Sequence, residues 1–324
     1  MQKTFNDFSA FELLIGAKPL LVCDKAFDLL GIDLPCKYIR FSDFTSNPLY
    51  EDAQAGVKVL RNNKCDFIVA IGGGSSIDIA KSVKYYGHMD IPLMAVPTTS
   101  GTGSEATHFA AIYKDGEKHS LSDKRLLPEY VILQPATLKT LSLYQKKCTM
   151  LDALCQAIES WWSKQATLRS IKYSQKAIKL ILANMNSYLN NEEEGNKNML
   201  LAANLAGRAI NITTTTAPHA MSYKLTSLYG LPHGHAVALC LPKVWRYMKN
   251  FDDIAQELGQ QSYVTAVSFF EKLLQNLEIA PPKNINAEHL DILTNSVNSQ
   301  RLSNNPLMLD KVAIKTLYKE ILEV

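Results

Sequence analysis

Asp152 and Gln156, in the stretch MLDALCQAIES, stand four residues apart. On a helix that spacing brings both head groups to one side, a single turn apart. His219 follows Ala217-Pro218 at what reads as a helix start, and His233 comes fourteen residues later in the turn-forming Leu231-Pro232-His233-Gly234. One carboxylate and two imidazoles are a workable donor set for a divalent metal with a position left open for substrate. Taken singly, each of these residues reads as a satisfied polar group of a helical core.

A second kind of chemistry is written in Phe67 to Lys81, FIVAIGGGSSIDIAK. A short apolar run with the β-branched content of a buried strand stops at Gly72-Gly73-Gly74 and resumes as a helical pattern through Ile77, Ile79 and Ala80. Bare backbone N–H groups then meet the positive end of a helix dipole, where phosphate binds. Glycine triplets also make plain turns, but the preceding strand and the polar Ser75, Ser76 and Asp78 favour phosphate. A second loop, Pro97 to Thr107 (PTTSGTGSEAT), is dense in hydroxyls and glycines and carries Thr98, Thr99, Thr102 and Ser104. Its Gly101, Gly103 and Ala106 fit the loose G-x-G-x-x-A pattern, a weak match by itself. Two such loops, each after a strand, suit one long phosphate-bearing ligand such as a dinucleotide. Asp24, directly after another strand, is either a helix cap or a carboxylate for the adenosine ribose hydroxyls, which would favour NADH over NADPH.

These groups need positioning. In the first third, strand patterns (Lys18 to Cys23, Tyr38 to Phe41, Phe67 to Ile71, Ile91 to Val96) alternate with helical ones (Lys25 to Leu30, Tyr50 to Asn62). Alternation of this kind predicts a parallel sheet covered on both faces, with ligands beyond the carboxyl ends of its strands. From about Lys139 the pattern is helical: Lys147 to Ser163, Leu168 to Leu189, Met199 to Ile210, Ala217 to Leu228, and His235 to Lys249. Asn190 to Lys197 reads as a solvated loop. The expected organisation is therefore an α/β dinucleotide-binding domain over residues 1–138 and an all-α metal- and substrate-binding domain over 139–324.

The 324 residues, 47% hydrophobic, suffice for two ordinary cores. Six cysteines without a CxxC pair read as reduced thiols. A net charge of +3 with dispersed lysines argues against nucleic-acid or membrane-surface partners. With neither a signal-peptide pattern nor an apolar stretch of membrane-spanning length, a cytoplasmic protein is expected.

The segments CDFIVAIGGGSSIDIAK, PTTSGTGSEAT, LDALCQAIES and PHGHAVALCLP, in that order, resemble the signatures of the iron-containing alcohol dehydrogenases, a group related to glycerol dehydrogenase and dehydroquinate synthase. The resemblance runs along nearly the whole chain. It implies the dehydroquinate synthase-like fold, a Rossmann-like N-terminal domain for NADH (NADPH the less favoured alternative), and a helical domain for a divalent metal. Fe2+ is expected there, though Zn2+ or another divalent ion suits the same donors. It also implies a homodimer, a small aldehyde or alcohol substrate, and reaction in the cleft between the domains.

Carried over by position, the family's metal ligands fall on Asp152, His219 and His233, while a third histidine position is Gln156, a weaker neutral oxygen donor. A further family histidine is replaced by Tyr223, so the proton relay passes to Tyr223 or His235. The Gln156 substitution together with INITTTTAPHAMSY looks most like the phosphonoacetaldehyde reductases, which form 2-hydroxyethylphosphonate. Thr213 to Thr216, with Arg208, Lys224 or His108, would hold a phosphonate; the threonine run is otherwise an ordinary helix entry. The alternatives are a general alcohol dehydrogenase, a dehydroquinate synthase-like enzyme, and a non-catalytic dinucleotide-binding protein with a decayed metal site.

Overall fold

The computed structural model describes residues 2–115, 117–283, 285–298 and 302–323. The chain divides into two compact units, Met1–Ser142 with Asn186–Gly207, and Leu143–Met185 with Arg208–Val324.

Six parallel strands form the sheet of the first unit: β1 (Lys3–Phe5), β2 (Pro19–Cys23), β3 (Ile39–Phe41), β4 (Phe67–Gly72), β5 (Leu93–Pro97) and β8 (Tyr130–Ile132), in the order β1-β8-β5-β4-β2-β3. β6 (Phe109–Lys114) and β7 (Glu117–Ser122) pair antiparallel in a separate ribbon. The central strands are apolar on both faces because both are covered. Leu20, Val22, Ile68, Ala70 and Ala95 pack with Val57 and Leu60 of α1 (Tyr50–Asn62) and with Ile77 and Val83 of α2 (Gly74–Gly87). On the other face Leu21, Val69, Ile71, Met94 and Val96 pack with Phe11, Leu14 and Phe27. From β2 the chain goes outward to β3, then returns to the other side of β2 as β4 and continues to β5. The direction of winding reverses between β2 and β4, which makes the carboxyl ends of these two strands a topological switch point.

The second unit is built on helices α3 (Leu143–Trp162), α4 (Leu168–Leu189) as far as Met185, α6 (Ala217–Tyr229), α7 (His233–Met248), α8 (Asp252–Glu257), α9 (Tyr263–Asn276), α10 (Ala287–Ser296) and α11 (Lys311–Leu322). α5 (Glu193–Thr213) belongs to the first unit as far as Gly207. Its start corrects the expected loop: Glu193 and Glu194 favour a helix N-terminus through the dipole, so the loop shrinks to the three residues 190–192. α3 and α7 approach closely at Gly234, where a Cβ would lie 2.0 Å from the Cys148 carbonyl oxygen. No helix among the described residues is long and apolar enough to cross a membrane.

Candidate functional site

Within the helical unit, α3, α6 and α7 bring together the three residues singled out for metal binding. Asp152 and His219 are buried and His233 is half-buried, and one donor atom from each lies within 4.8 Å of the others. Nε2 of His219 is 3.4 Å and Nε2 of His233 is 3.9 Å from Oδ1 of Asp152. Among the described residues no other group of three or more His, Cys, Asp or Glu donors converges in this way. Gly234 explains the approach of α7, since a Cβ there would also stand 2.9 Å from Cβ of Asp152.

Glu159, which sequence reasoning overlooked, stands behind this group. It is fully buried, and its Oε1 is bonded to Nδ1 of His219. Its Oε2 accepts from the backbone N–H (2.7 Å) and the hydroxyl (2.8 Å) of Thr216. The bond at Nδ1 leaves Nε2 of His219, a buried atom that makes no hydrogen bond, to face Asp152. Burial disfavours the imidazolium, but attraction to Glu159, the approach of the Asp152 carboxylate and the bond to Glu159 outweigh it and raise the His219 pKa to about 9. Two buried carboxylates that hold a proton so firmly make a place for a cation. The donors present therefore fit a divalent metal. Gln156, one turn beyond Asp152, is buried on the same helix and has its Oε1 among the buried atoms without a hydrogen bond, although the residue has other contacts.

Two residues of the threonine run, Thr213 and Thr216, are occupied in holding this site together. Thr213 and Thr216 are buried. The hydroxyl of Thr213 donates to the Ala209 carbonyl (3.2 Å), and Oγ1 of Thr216 accepts from Nε1 of Trp162 (2.8 Å). Thr214 sits at φ 57°, a left-handed conformation rare for a β-branched residue. The Asn304 amide steadies it, donating to the Thr213 carbonyl, Thr214 Oγ1 and the Thr215 carbonyl at 2.7, 3.0 and 3.1 Å. Thus Thr213 and Thr216 serve the helix entry that sets Thr216 against Glu159, while Thr214 is exposed and Thr215 half-buried.

Of the two relay candidates, Tyr223 lies beside the site, its ring parallel to that of His233 with centroids 5.7 Å apart. His235 is committed elsewhere: Nδ1 is bonded to the Tyr144 hydroxyl and Nε2 to the Ala280 carbonyl, each at 2.8 Å. Burial also pushes its pKa down, keeping the ring neutral.

In the α/β unit the two glycine loops follow adjacent strands, β4 and β5. They touch: a Cβ on Gly74 would come 2.8 Å from Cγ2 of Thr102, and one on Gly73 3.2 Å from Cγ2 of Thr99. The N-cap of α2 is Gly73, and no side chain caps that helix. Its first-turn amides are therefore donors for an anion. Thr98 donates its backbone N–H to the Gly72 carbonyl (3.0 Å), and the Ser75 hydroxyl is bonded to the Ser46 carbonyl. Asp24 follows β2, and Oδ1 caps the Ala26 N–H (2.8 Å) while Oδ2 faces the Gly72 end of β4.

Asp78 and Ser104 point into the protein instead. Oδ1 of Asp78 accepts from the Ser104 hydroxyl (2.5 Å) and Oδ2 from the Ala111 N–H (3.0 Å). Beside them the buried ammonium of Lys81 donates to the carbonyls of Ser104, Thr107 and Phe109 at 2.5, 2.8 and 2.7 Å. Sequence reasoning missed this lysine too; its signal was the spacing of three from Asp78 on one helix face.

Residues 8–135 match the family model of the iron-containing alcohol dehydrogenases, and residues 147–322 match the model of that family's C-terminal region. The chain is 29% identical over 319 residues to phosphonoacetaldehyde reductase of Streptomyces viridochromogenes, covering 84% of this chain and 80% of the other. It is 32% identical over 285 residues to 1,3-propanediol dehydrogenase of Klebsiella pneumoniae, covering 77% and 74%. In fold it is similar to sulfoacetaldehyde reductase of Bifidobacterium kashiwanohense, crystallised in complex with NAD+, with a TM-score of 0.90 at 24% identity over 100% and 97% of the two chains.

Proposed function

The chain belongs to the iron-containing alcohol dehydrogenase family, and on that premise we propose that it reduces a small aldehyde to a primary alcohol with NADH, phosphonoacetaldehyde being the substrate and 2-hydroxyethylphosphonate the product. The observation that carries the reading is the buried convergence of Asp152, His219 and His233 with Glu159 bonded behind His219. It speaks against a decayed site, since a site under no demand would not keep two buried carboxylates around one imidazole.

In this reading Asp152, His219 and His233 hold a divalent metal, Fe2+ or another ion of similar preference, with Gln156 contributing an oxygen. When bound, such an ion supplies Lewis acidity toward an aldehyde oxygen, worth several kcal/mol in a hydride transfer. Glu159 fixes the His219 tautomer, so that Nε2 is the donating nitrogen. Gly73, Gly74 and Ser75 offer backbone amides to the cofactor's pyrophosphate, with Thr98, Thr99 and Thr102 around them. Asp24 takes the ribose hydroxyls and disfavours a 2′-phosphate. Asp78, Ser104 and Lys81 position the second loop from behind. Tyr223 is the side chain we assign to proton delivery, because both nitrogens of His235 are already bonded.

A second reading, a general dehydrogenase of small alcohols, is favoured by the 32% identity to 1,3-propanediol dehydrogenase and by the internal bonds of Thr213 and Thr216. NADH oxidation with phosphonoacetaldehyde, acetaldehyde and lactaldehyde, each with and without ferrous or zinc ion, separates the two. Strong preference for phosphonoacetaldehyde supports the first, and equal or faster turnover of the plain aldehydes the second. Turnover without net NADH consumption would point instead to dehydroquinate synthase-like chemistry. Binding of NADH without metal or turnover would return the non-catalytic reading. The proposal includes a cytoplasmic location and a homodimer; light scattering of the purified protein tests the dimer, and fractionation of cells followed by immunoblotting tests the location.

A further inference from the structure

We propose that Arg40 and Asp28 form a second discriminating pair at the adenosine-ribose end of the nucleotide site, in which Asp28 neutralises the guanidinium that would otherwise receive a 2′-phosphate. The proposal rests on the NADH reading above and adds to it the residues that set the choice between NADH and NADPH.

Arg40 lies on β3, directly beside β2, in the register Leu21 to Arg40 and Val22 to Phe41. Side chains alternate along a strand, so while Phe41 enters one core layer Arg40 stands on the opposite face. There its guanidinium carbon is 5.6 Å from the centroid of the Phe27 ring. Nη1 and Nη2 donate to Oδ1 and Oδ2 of Asp28 at 2.5 and 3.0 Å, a two-pronged pairing. Nε donates to Oγ of Ser42 at 2.8 Å, and Nη2 also reaches the backbone carbonyl of Asp24 at 3.4 Å. The guanidinium is thus held against the residue that follows β2, at the β2/β4 switch point where a dinucleotide's adenosine end is expected.

An arginine at this place in a nucleotide-binding sheet is what a 2′-phosphate pairs with, and its planar fork suits a phosphate as well as a carboxylate. Here both prongs already face Asp28. An incoming 2′-phosphate dianion would meet the carboxylates of Asp24 and Asp28 and a single guanidinium whose charge is matched. The pair is at the surface, with the side chains of Arg40 and Asp28 34% and 57% exposed, so a ligand has access to it. A plain surface ion pair tying a turn to an edge strand would show the same bonds, but it would leave nucleotide preference untouched.

The test is fluorescence titration of the purified protein with NADH and with NADPH, read as the ratio of the two dissociation constants, for wild type, Asp28→Asn, Arg40→Gln, the double variant and Asp24→Ser. Asp28→Asn should shift the ratio toward NADPH by on the order of tenfold, the effect of removing one charge near a dianion at the surface. Arg40→Gln should shift it the other way, and the double variant should lose the gain of Asp28→Asn. An unchanged ratio in Asp28→Asn, or a gain that persists in the double variant, overturns the pairing. If wild type binds NADH and Asp24→Ser alone moves the ratio, the NADH reading stands while this inference falls. If wild type binds neither nucleotide, both fall.

Discussion

The Glu159 carboxylate divides its two oxygens between Nδ1 of His219 and the backbone and hydroxyl donors of Thr216, so that one buried acid fixes both the ring and the start of the helix that carries it. Glu159→Gln keeps the shape but turns an NH2 group toward an N–H or O–H donor. Affinity for a divalent metal should fall about 10- to 100-fold, as for other partners of metal-bound histidines. Competition with a chromophoric chelator measures it. Glu159→Ala, which leaves Nδ1 of the buried His219 and the donors of Thr216 without their acceptor, should also cost about 3–5 kcal/mol in urea unfolding of the metal-free protein. If Glu159→Gln retains metal as wild type does, Glu159 is a structural acid only.

Gly74 makes a contact that admits no side chain, since its Cβ would fall 2.8 Å from Cγ2 of Thr102. Gly74→Ala should push the two phosphate loops apart and weaken NADH binding by at least about tenfold, while costing about 1–3 kcal/mol of stability. Metal content should not change, because the donors lie in the other unit. Isothermal titration with NADH and metal analysis of the same preparation check both halves. Normal NADH affinity in this variant would move the pyrophosphate elsewhere.

Much of the fold was legible because it follows from periodicity. The helix Tyr50–Asn62 and the helix Leu168–Leu189 have the expected bounds, and the strand–glycine–helix unit at Phe67 stands as read. What escaped were elements whose partners are distant in sequence. β1 and β8 have three residues each and are strands only through their neighbours, β8 pairing with β5 on one side and with the edge strand β1 on the other. β7, EKHSLS, has no apolar run at all. The site shows the same division. Asp152, His219 and His233 announce themselves by residue type, whereas Glu159 looks like a helix-surface acid until α6 places His219 against it. Conversely, Thr213, Thr216 and Asp78 look like ligand-facing groups in sequence, but Ala209, Glu159, Ser104 and Ala111 take up their hydrogen bonds.

Lys81 is fully buried, and burial depresses its pKa from 10.5 to about 8 despite the nearby Asp78 and Glu105. Between pH 8 and 10.5 the unfolded chain then binds more protons than the folded one, so this residue's contribution to stability grows with rising pH across that interval. Below pH 8 both states carry the charge and the contribution is flat. Lys81→Met removes the dependence. The difference in unfolding free energy between wild type and variant should therefore change in favour of wild type from pH 8 upward, by at most about 3 kcal/mol. Urea unfolding at pH 7.5, 9 and 10 decides it, and a pH-independent difference would mean that Lys81 keeps an ordinary pKa through its three carbonyl acceptors.

Gln156 offers the most direct test of the metal centre. It lies one turn from Asp152 on α3, is buried, and carries a neutral oxygen where an imidazole would be a stronger donor to Fe2+ or Zn2+. Gln156→His should tighten metal binding by at least about tenfold and slow metal loss to a chelator. Turnover need not rise in step, because a further strong donor also lowers the acidity that the ion offers to substrate. Gln156→Leu, which keeps the volume and removes the oxygen, should loosen metal binding relative to wild type, with folding intact by circular dichroism. If neither substitution alters metal retention, Gln156 lies outside the coordination sphere, and Asp152, His219 and His233 alone form the protein's share of the site.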